Sequence, residues 1–390
     1  MTGGEEPTTG RATGTAEGTG AGDGAAMAFR YLDEPSLVAA GALDMAACMD
    51  VLEETFRLLA AGDCVMAGEL GSSHGLEMGF PASSPFPGMP LDGPDRRFAA
   101  MPAYVGGRFD MLGLKWYASN VANRAKGLPR SIHMIALHDK DTGVPRCIMS
   151  GNLVSAFRTA GVLGVAARVL APEEARVLAI IGPGAINIAA AEAYLVARPG
   201  IERIMVRGRS QAGVERFSRA VAERLGASRT PRIVPVDSIE EAVTDADIVS
   251  VAISGDEPPL LPTRALRPGA LVCLPADIAL DEEAWGQVTI VDSVRLYEQW
   301  MLEIPAPRES IRDLFGVQLV ERRDRGEAVH PVSLGDVLTG GVRRADDAVV
   351  FFGTGGLPVE DVAWATELYR RACELGLGVT LPVWEHAALR

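Results

Sequence analysis

The chain has 390 residues, 48% hydrophobic and 23% charged, enough for two domains and a large core of a globular protein. Its net charge of −14, with no lysine or arginine block, argues against nucleic acid and anionic membrane as partners. No apolar run reaches the roughly eighteen residues that a membrane span requires.

Residues 1–27 are mainly glycine, threonine, alanine and glutamate and read as a disordered tail, since they have too little apolar surface to offset ordering entropy. The segment lacks the basic start and apolar stretch of a secretory signal. Order is expected from about Phe29. Asp44 is placed to cap a helix through Leu59, with Met45, Met49, Leu52, Phe56 and Leu59 as its core stripe. From Met66 to Asp95 a long loop rich in glycine, proline and serine is of the kind that shapes binding sites; it carries His74 and Glu77. Strands are expected at 98–104, 111–116 and 131–137, the last closed by the turn Asp139–Gly143 onto a strand at 145–149. This region reads as antiparallel β with one early helix.

A helix over 154–170, stopped by Pro172, leads to the most informative stretch of the chain. The strand at 176–181 runs into Gly182, Pro183, Gly184, Ala185 and Ile186, then an alanine-rich helix to Arg198 and a strand at 203–206. Strand, glycine turn, helix and strand within about thirty residues form a dinucleotide fingerprint, with Asn187 in place of the third glycine. No carboxylate follows the second strand to grip a ribose 2′-OH. Arg207, Arg209 and Ser210 stand there, which suits a 2′-phosphate and favours NADP over NAD, although an arginine at that strand end also serves simply as a solvated charge. Further βα units with strands at 232–236, 248–253, 270–274 and 288–291 complete a doubly wound sheet. Ligands of such sheets lie beyond the strand carboxyl ends, which selects Ala252, Ile253, Ser254 and the segment around Asp277. The tail, with a strand at 348–352 and a helix over 359–375, is expected to fold back on the first region.

Two cations stand in apolar surroundings. Lys115 lies in a strand that buries at least one face, so it either snorkels to water or faces a cavity that holds an anion. Arg158 sits in the first turns of an otherwise apolar helix and must exit to water or clamp a carboxylate. Arg130, at a strand start, suits a surface role at least as well. Five cysteines without paired spacing argue against a disulfide framework and fit a reduced, cytoplasmic compartment; five histidines without ligand spacing give no metal site.

The runs Gly113-Leu-Lys-Trp116, Gly127-Leu-Pro-Arg130, Asp141-Thr-Gly-Val-Pro145, Ser155-Ala-Phe-Arg-Thr-Ala160, Gly182-Pro-Gly184, Gly335-Asp336 and Gly356-Leu-Pro-Val-Glu-Asp361 resemble the ornithine cyclodeaminase/μ-crystallin family, in order, over residues 30–390. The details look most like its N-(2-amino-2-carboxyethyl)glutamate dehydrogenase branch, which makes 2,3-diaminopropionate. The resemblance implies a Rossmann domain (161–335) inserted into a discontinuous α+β substrate-binding and dimerisation domain (28–160 and 336–390), and a homodimer. It also implies that Lys115 and Arg158 hold a substrate carboxylate, with Thr159 and Arg130 as further ligands. Lys115 and Asp277 are the expected catalytic residues, Asp277 as general base unless it only caps the segment that follows. Two features depart from the family's cyclodeaminases: Cys273 or Leu274 aligns where they carry an aspartate, and no arginine is evident over Met66–Glu77. The expected activity is therefore NAD(P)-dependent hydride transfer at the Cα–N bond of a secondary amine or imine, of the diaminopropionate-forming or opine-like kind. A cyclodeaminase with internally recycled cofactor and a μ-crystallin-like ketimine reductase or ligand binder are the alternatives.

Overall fold

A computed structural model of the chain describes residues 26–226, 230–253, 258–276, 278–304, 311, 313–340 and 347–388. Most of the expected N-terminal tail therefore lies outside the described residues, and strand β1 (Met27–Leu32) begins at its last position. Helices α1 (Glu34–Ala39) and α2 (Met45–Ala61) each start on an aspartate: Asp33 accepts from the Ser36 amide at 2.9 Å and Asp44 from the Ala47 amide at 3.0 Å. Each cap satisfies a helix N–H that has no intrahelical partner. The stripe Met45, Met49, Leu52 and Phe56 is fully buried, as its spacing predicts.

Strands β2 (Cys64–Met66), β3 (Leu76–Met78), β4 (Arg97–Val105), β5 (Met111–Ser119), β6 (Ser131–His138) and β7 (Pro145–Ser150) build the first sheet. Period-two alternation sorts their side chains. Met101, Lys115 and Ile135 pair across β4, β5 and β6 on the inner face; Pro102, Leu114 and Ala136 do so on the outer face. The sheet is antiparallel apart from β1, which runs parallel to β7.

Helix α3 (Asn152–Leu170) packs on α2, and Gly161 and Gly164 allow the close approach: a Cβ there would lie 2.6 Å from Leu52 and 2.7 Å from the Met49 sulfur. Its length and apolarity would suffice to cross a bilayer, contrary to the sequence expectation, but most of it is buried inside the fold. It is a core helix.

The second sheet alternates strand and helix: β8 (Val177–Ile181), α4 (Ala185–Ala197), β9 (Arg203–Arg207), α5 (Gln211–Leu225), β10 (Arg232–Pro235), α6 (Ile239–Val243) and β11 (Ile248–Val251). A small pair, β12 (Leu260–Leu261) with β14 (Ala279–Leu280), flanks β13 (Leu271–Leu274). Then follow β15 (Val288–Val291), α7 (Val294–Glu303), α8 (Phe315–Asp324), β16 (Val332–Ser333), α9 (Leu334–Leu338) and β17 (Val350–Gly353). The sheet is parallel, in the order β10-β9-β8-β11-β13-β17-β15-β16. Strand order reverses between β8 and β11, which opens a crevice at their carboxyl ends.

The tail divides where the sequence suggested continuity. Instead of joining the first region, β17 pairs with β13 and β15 inside the second sheet. Its residues form an unbroken buried apolar run, which suits a parallel strand covered on both faces and not a half-exposed antiparallel one. Helix α10 (Pro358–Glu374) and strand β18 (Val379–Trp384) return to the first region, on which α9 already packs through Gly335 against Phe56 and Ala60 of α2. Helix α10 packs against β4, β5 and β6, and β18 pairs antiparallel with β1 at the sheet edge, where Pro382 is tolerated.

Candidate functional site

At the end of β8 the chain turns through Gly182, whose φ of +87° and contact with the Ala252 carbonyl both exclude a Cβ. Gly184 caps α4 with no side-chain hydrogen bond and with open space around it, which leaves the first amides of the helix, from Ala185 and Ile186 onward, facing outward. Asn187, standing where a third glycine would, is fully buried and pins the turn. Its Nδ2 donates to the Gly182 carbonyl at 2.8 Å, and its Oδ1 accepts from Ser250 at 2.7 Å, which in turn accepts from Tyr194. Free amides at a helix N-terminus fit a diphosphate. Pro183 packs under Gly208, and Ala252 and Ile253 close the opposite side of the crevice. Past β9, Arg207 donates to the neighbouring Gly208 carbonyl, Arg209 is exposed, and Ser210 caps α5 through the Gly213 amide.

The second assembly joins three elements. Lys115 on β5 donates to Asp361 Oδ2 at 2.6 Å; Arg158 on α3 donates through Nε to Asp361 Oδ1 at 3.1 Å and through Nη1 to Glu360 Oε2 at 2.7 Å. All four side chains are buried. Burial and the neighbouring Arg158 push Lys115 down to about 8, against the pull of Asp361. Burial would raise Asp361, but Arg158 and Lys115 outweigh it and hold its carboxyl below the usual range. Burial raises Glu360 to about 7, with Arg158 opposing and the Asp292 and Asp361 charges adding to it. The two cations are thus brought together, as an anion clamp requires.

A hydrogen-bonded loop lies beside the clamp. Asp292, after β15, accepts from the Thr354 hydroxyl and the Gly355 and Gly356 amides at 2.7 to 2.9 Å, and from the Ser293 amide. Gly356 lies against Arg158, where a Cβ would come within 2.6 Å of Nη1. His74 Nδ1 stands 2.8 Å from the Gly356 carbonyl, which can only accept, so Nδ1 carries the proton and Nε2 keeps its lone pair in the neutral ring. Burial, then Lys115, lowers His74 to about 4, and His133, tilted against Tyr117 with ring centroids 4.8 Å apart, likewise. Gln299 on α7 accepts from the Leu70 amide at 2.6 Å and so ties the 66–75 loop to the second sheet's helices.

Other expected residues fall apart from this group. Arg130 pairs with Asp95 at 2.7 Å beside Ser119, four residues along β5 from Lys115, or about 13 Å. The Thr159 hydroxyl donates to the Ser155 carbonyl within α3. Ser254 and Asp277 lie outside the described residues. Glu360, Asp361, Asp292 and the histidines were not singled out by spacing. The buried Glu-Asp pair at the start of α10 closes the Gly356–Asp361 motif, and it is the partner that two lone buried cations demand.

The ornithine cyclodeaminase/mu-crystallin family profile matches residues 42–375. The chain belongs to the ornithine cyclodeaminase/mu-crystallin family. Among relatives in this family, nodulation efficiency protein NfeD of Rhizobium meliloti is 29% identical over 73% of this chain and 82% of its own length. The N-((2S)-2-amino-2-carboxyethyl)-L-glutamate dehydrogenase of Staphylococcus aureus is 27% identical over 74% of this chain and 82% of its own. The structure of Thermococcus litoralis Delta(1)-pyrroline-2-carboxylate reductase with NADH and L-proline shares the fold, with a TM-score of 0.72 and 22% identity over 90% of this chain and 99% of that one.

Proposed function

We propose that this chain is an NAD(P)-dependent oxidoreductase acting at the Cα–N bond of an amino acid, on a secondary amine or imine. The observation that carries this reading is the convergence of Lys115 and Arg158 at the carboxyl edge of the nucleotide sheet. Strand β17 leads from that edge through Gly355 and Gly356 directly into the Glu360–Asp361 turn of α10. Strands β8 and β17 are separated by two strands, so the phosphate turn lies about 14 Å along the edge from the clamp. Gly182, Gly184 and the first amides of α4 would hold the diphosphate of a dinucleotide, and one laid along that edge would extend toward the clamp. When bound, a nicotinamide supplies the hydride acceptor or donor. The residues of the chain do the rest: Lys115 and Arg158 fix a substrate carboxylate, and so the neighbouring Cα, in one place.

His74, neutral with its Nε2 unprotonated beside Lys115, is placed to take a proton from the substrate amine, alongside or in place of Asp277. The absence of a carboxylate after β9 and the pair Arg207 and Arg209 favour NADP over NAD. Residues 28–160 and 354–390 form the substrate-binding and dimerisation unit, and the chain pairs with a second copy. The outer face of the first sheet supports the pairing, since Phe98, Leu112 and Ile132 lie exposed on that one face.

The deciding assay mixes the protein with NAD⁺ or NADP⁺ and a panel of amino acids and N-carboxyalkyl amino acids, and follows reduced nicotinamide together with ammonia. Net reduced cofactor with a secondary amine, faster with NADP⁺, is the expected result. Ammonia from ornithine or lysine with no net change in cofactor would replace this reading with a cyclodeaminase.

A further inference from the structure

The clamp cations are not vacant. Lys115 and Arg158 already face two carboxylates, so the buried group of four is formally neutral when all are ionised. A substrate carboxylate, as the proposed function requires, would add a third negative charge to two positive ones in a site closed to water. Leaving a buried charge uncompensated costs several kcal/mol, and the usual escape is a change of protonation.

The geometry singles out which carboxylate changes. Asp361 is held from both sides, by Lys115 and by Arg158 Nε, and gives both oxygens to cations. Glu360 gives only Oε2, to Arg158 Nη1; its Oε1 is fully buried with no hydrogen-bond partner among the described residues. A protonated Oε1 loses little, whereas an ionised one is poorly served.

We infer that Glu360 is a placeholder for the substrate carboxylate: it balances Arg158 in the empty site and takes one proton from solvent when a substrate carboxylate docks on Lys115 and Arg158. This rests on the reading of Lys115 and Arg158 as the carboxylate clamp. The step forms one O–H bond on Glu360 and involves no redox change. Glu360 is a positioning residue, because it acts through Arg158.

The surrounding groups agree. Facing Glu360 are Arg158 from α3, Asp292 after β15, Tyr297 from α7, Cys48 from α2 and its neighbour Asp361. Tyr297 and Cys48 are pushed well above their ordinary values by burial and stay neutral. Burial raises the Asp292 carboxyl, while the four hydrogen bonds it accepts from amides and a hydroxyl each favour its ionised form. The remaining candidates are Asp292 beside Glu360 and Lys115, His74 and His133 on the clamp side, and loss of uptake in the Glu360 variants sets Glu360 apart from all four.

The probes are pyruvate, 2-oxoglutarate and pyrrole-2-carboxylate, which bear no titrating amine, titrated calorimetrically into full-length protein saturated with NADP⁺ in two buffers of different ionisation enthalpy. Wild type should take up most of one proton per carboxylate bound at about pH 7.5, and its Kd should rise about threefold from about pH 6.5 to about 7.5. Glu360→Gln, checked for its fold by nucleotide binding and circular dichroism, should bind the probe with no proton uptake and a Kd flat within about twofold over that range. Glu360→Ala should also abolish uptake, so the assignment does not depend on a single variant. Binding by wild type without uptake, or uptake that survives in Glu360→Gln, would overturn this inference alone, and its loss in His74→Gln would then assign the proton to His74. No binding of any probe between about pH 5.5 and 8.5 would overturn the carboxylate clamp with it.

Discussion

The two sheets build their candidate sites from different parts of the chain. At the edge of the second sheet the candidate site is backbone: Gly182 opens the turn, Gly184 leaves amides free and Asn187 holds the loop from beneath. On the inner face of the first sheet it is side chains, Lys115 and Arg158 with their partner Asp361, joined across 246 and 203 positions of sequence. A site made of amides stays local, because one turn fixes all of them. A site made of charges draws on distant elements, because every buried charge needs a partner.

That contrast can be broken most sharply at Arg158. Arg158→Ala leaves Glu360 and Asp361 buried without their shared partner and should destabilise the protein by about 3–5 kcal/mol in a urea titration. Carboxylate binding should vanish while the Kd for NADP⁺ in the folded variant stays within about threefold. A comparable loss of nucleotide affinity would show that the two sites are not separable.

The converse experiment is Gly182→Ala. The positive φ and the collision with the Ala252 carbonyl should cost about 2 kcal/mol and weaken nucleotide binding at least tenfold. Carboxylate probes measured without nucleotide should be affected little. Replacing Arg207 and Arg209 together by alanine tests the one place where the nucleotide site does use side chains. The preference for NADP⁺ over NAD⁺ should fall by about tenfold, or 1.4 kcal/mol, in paired kcat/KM measurements.

A further expected effect concerns pH. Burial and Lys115 lower His74 from 6.5 to about 4, so its contribution to stability is present above 6.5 and lost as the pH falls toward 4. Wild type should therefore lose about 2 kcal/mol more than His74→Gln between about pH 7 and about pH 5 in denaturant melts. Equal losses in both would mean that His74 titrates freely and is not enclosed with the clamp.

The legible parts of the sequence follow the same division. The βα rhythm, the Gly182–Gly184 turn, the methionine stripe of α2 and its Asp44 cap depend on neighbours within a few residues, and each could be read directly. Lys115 and Arg158 were visible as cations that apolar surroundings could not accept alone. Their partners were not, because Glu360 and Asp361 look like the ordinary acidic first turn of a helix. Only the packing of α10 across the inner face of β5 brings that first turn against the two buried cations. Strand β17 was assigned to the wrong sheet for a similar reason. Its apolar run announces burial on both faces, but nothing local says which strands will cover its edges.

The placement of β17 has a consequence for how the polypeptide must be made. It is an inner strand of the nucleotide sheet, so β15 has no bond to β13 until residues 350–353 have been added between them. Soon afterwards β18 closes the edge of the other sheet beside β1, which was synthesised some 350 residues earlier. A ribosome-bound chain stopped before β17 would therefore hold two unfinished sheets at once, each with an open edge. Neither half can be released as a finished unit ahead of the other.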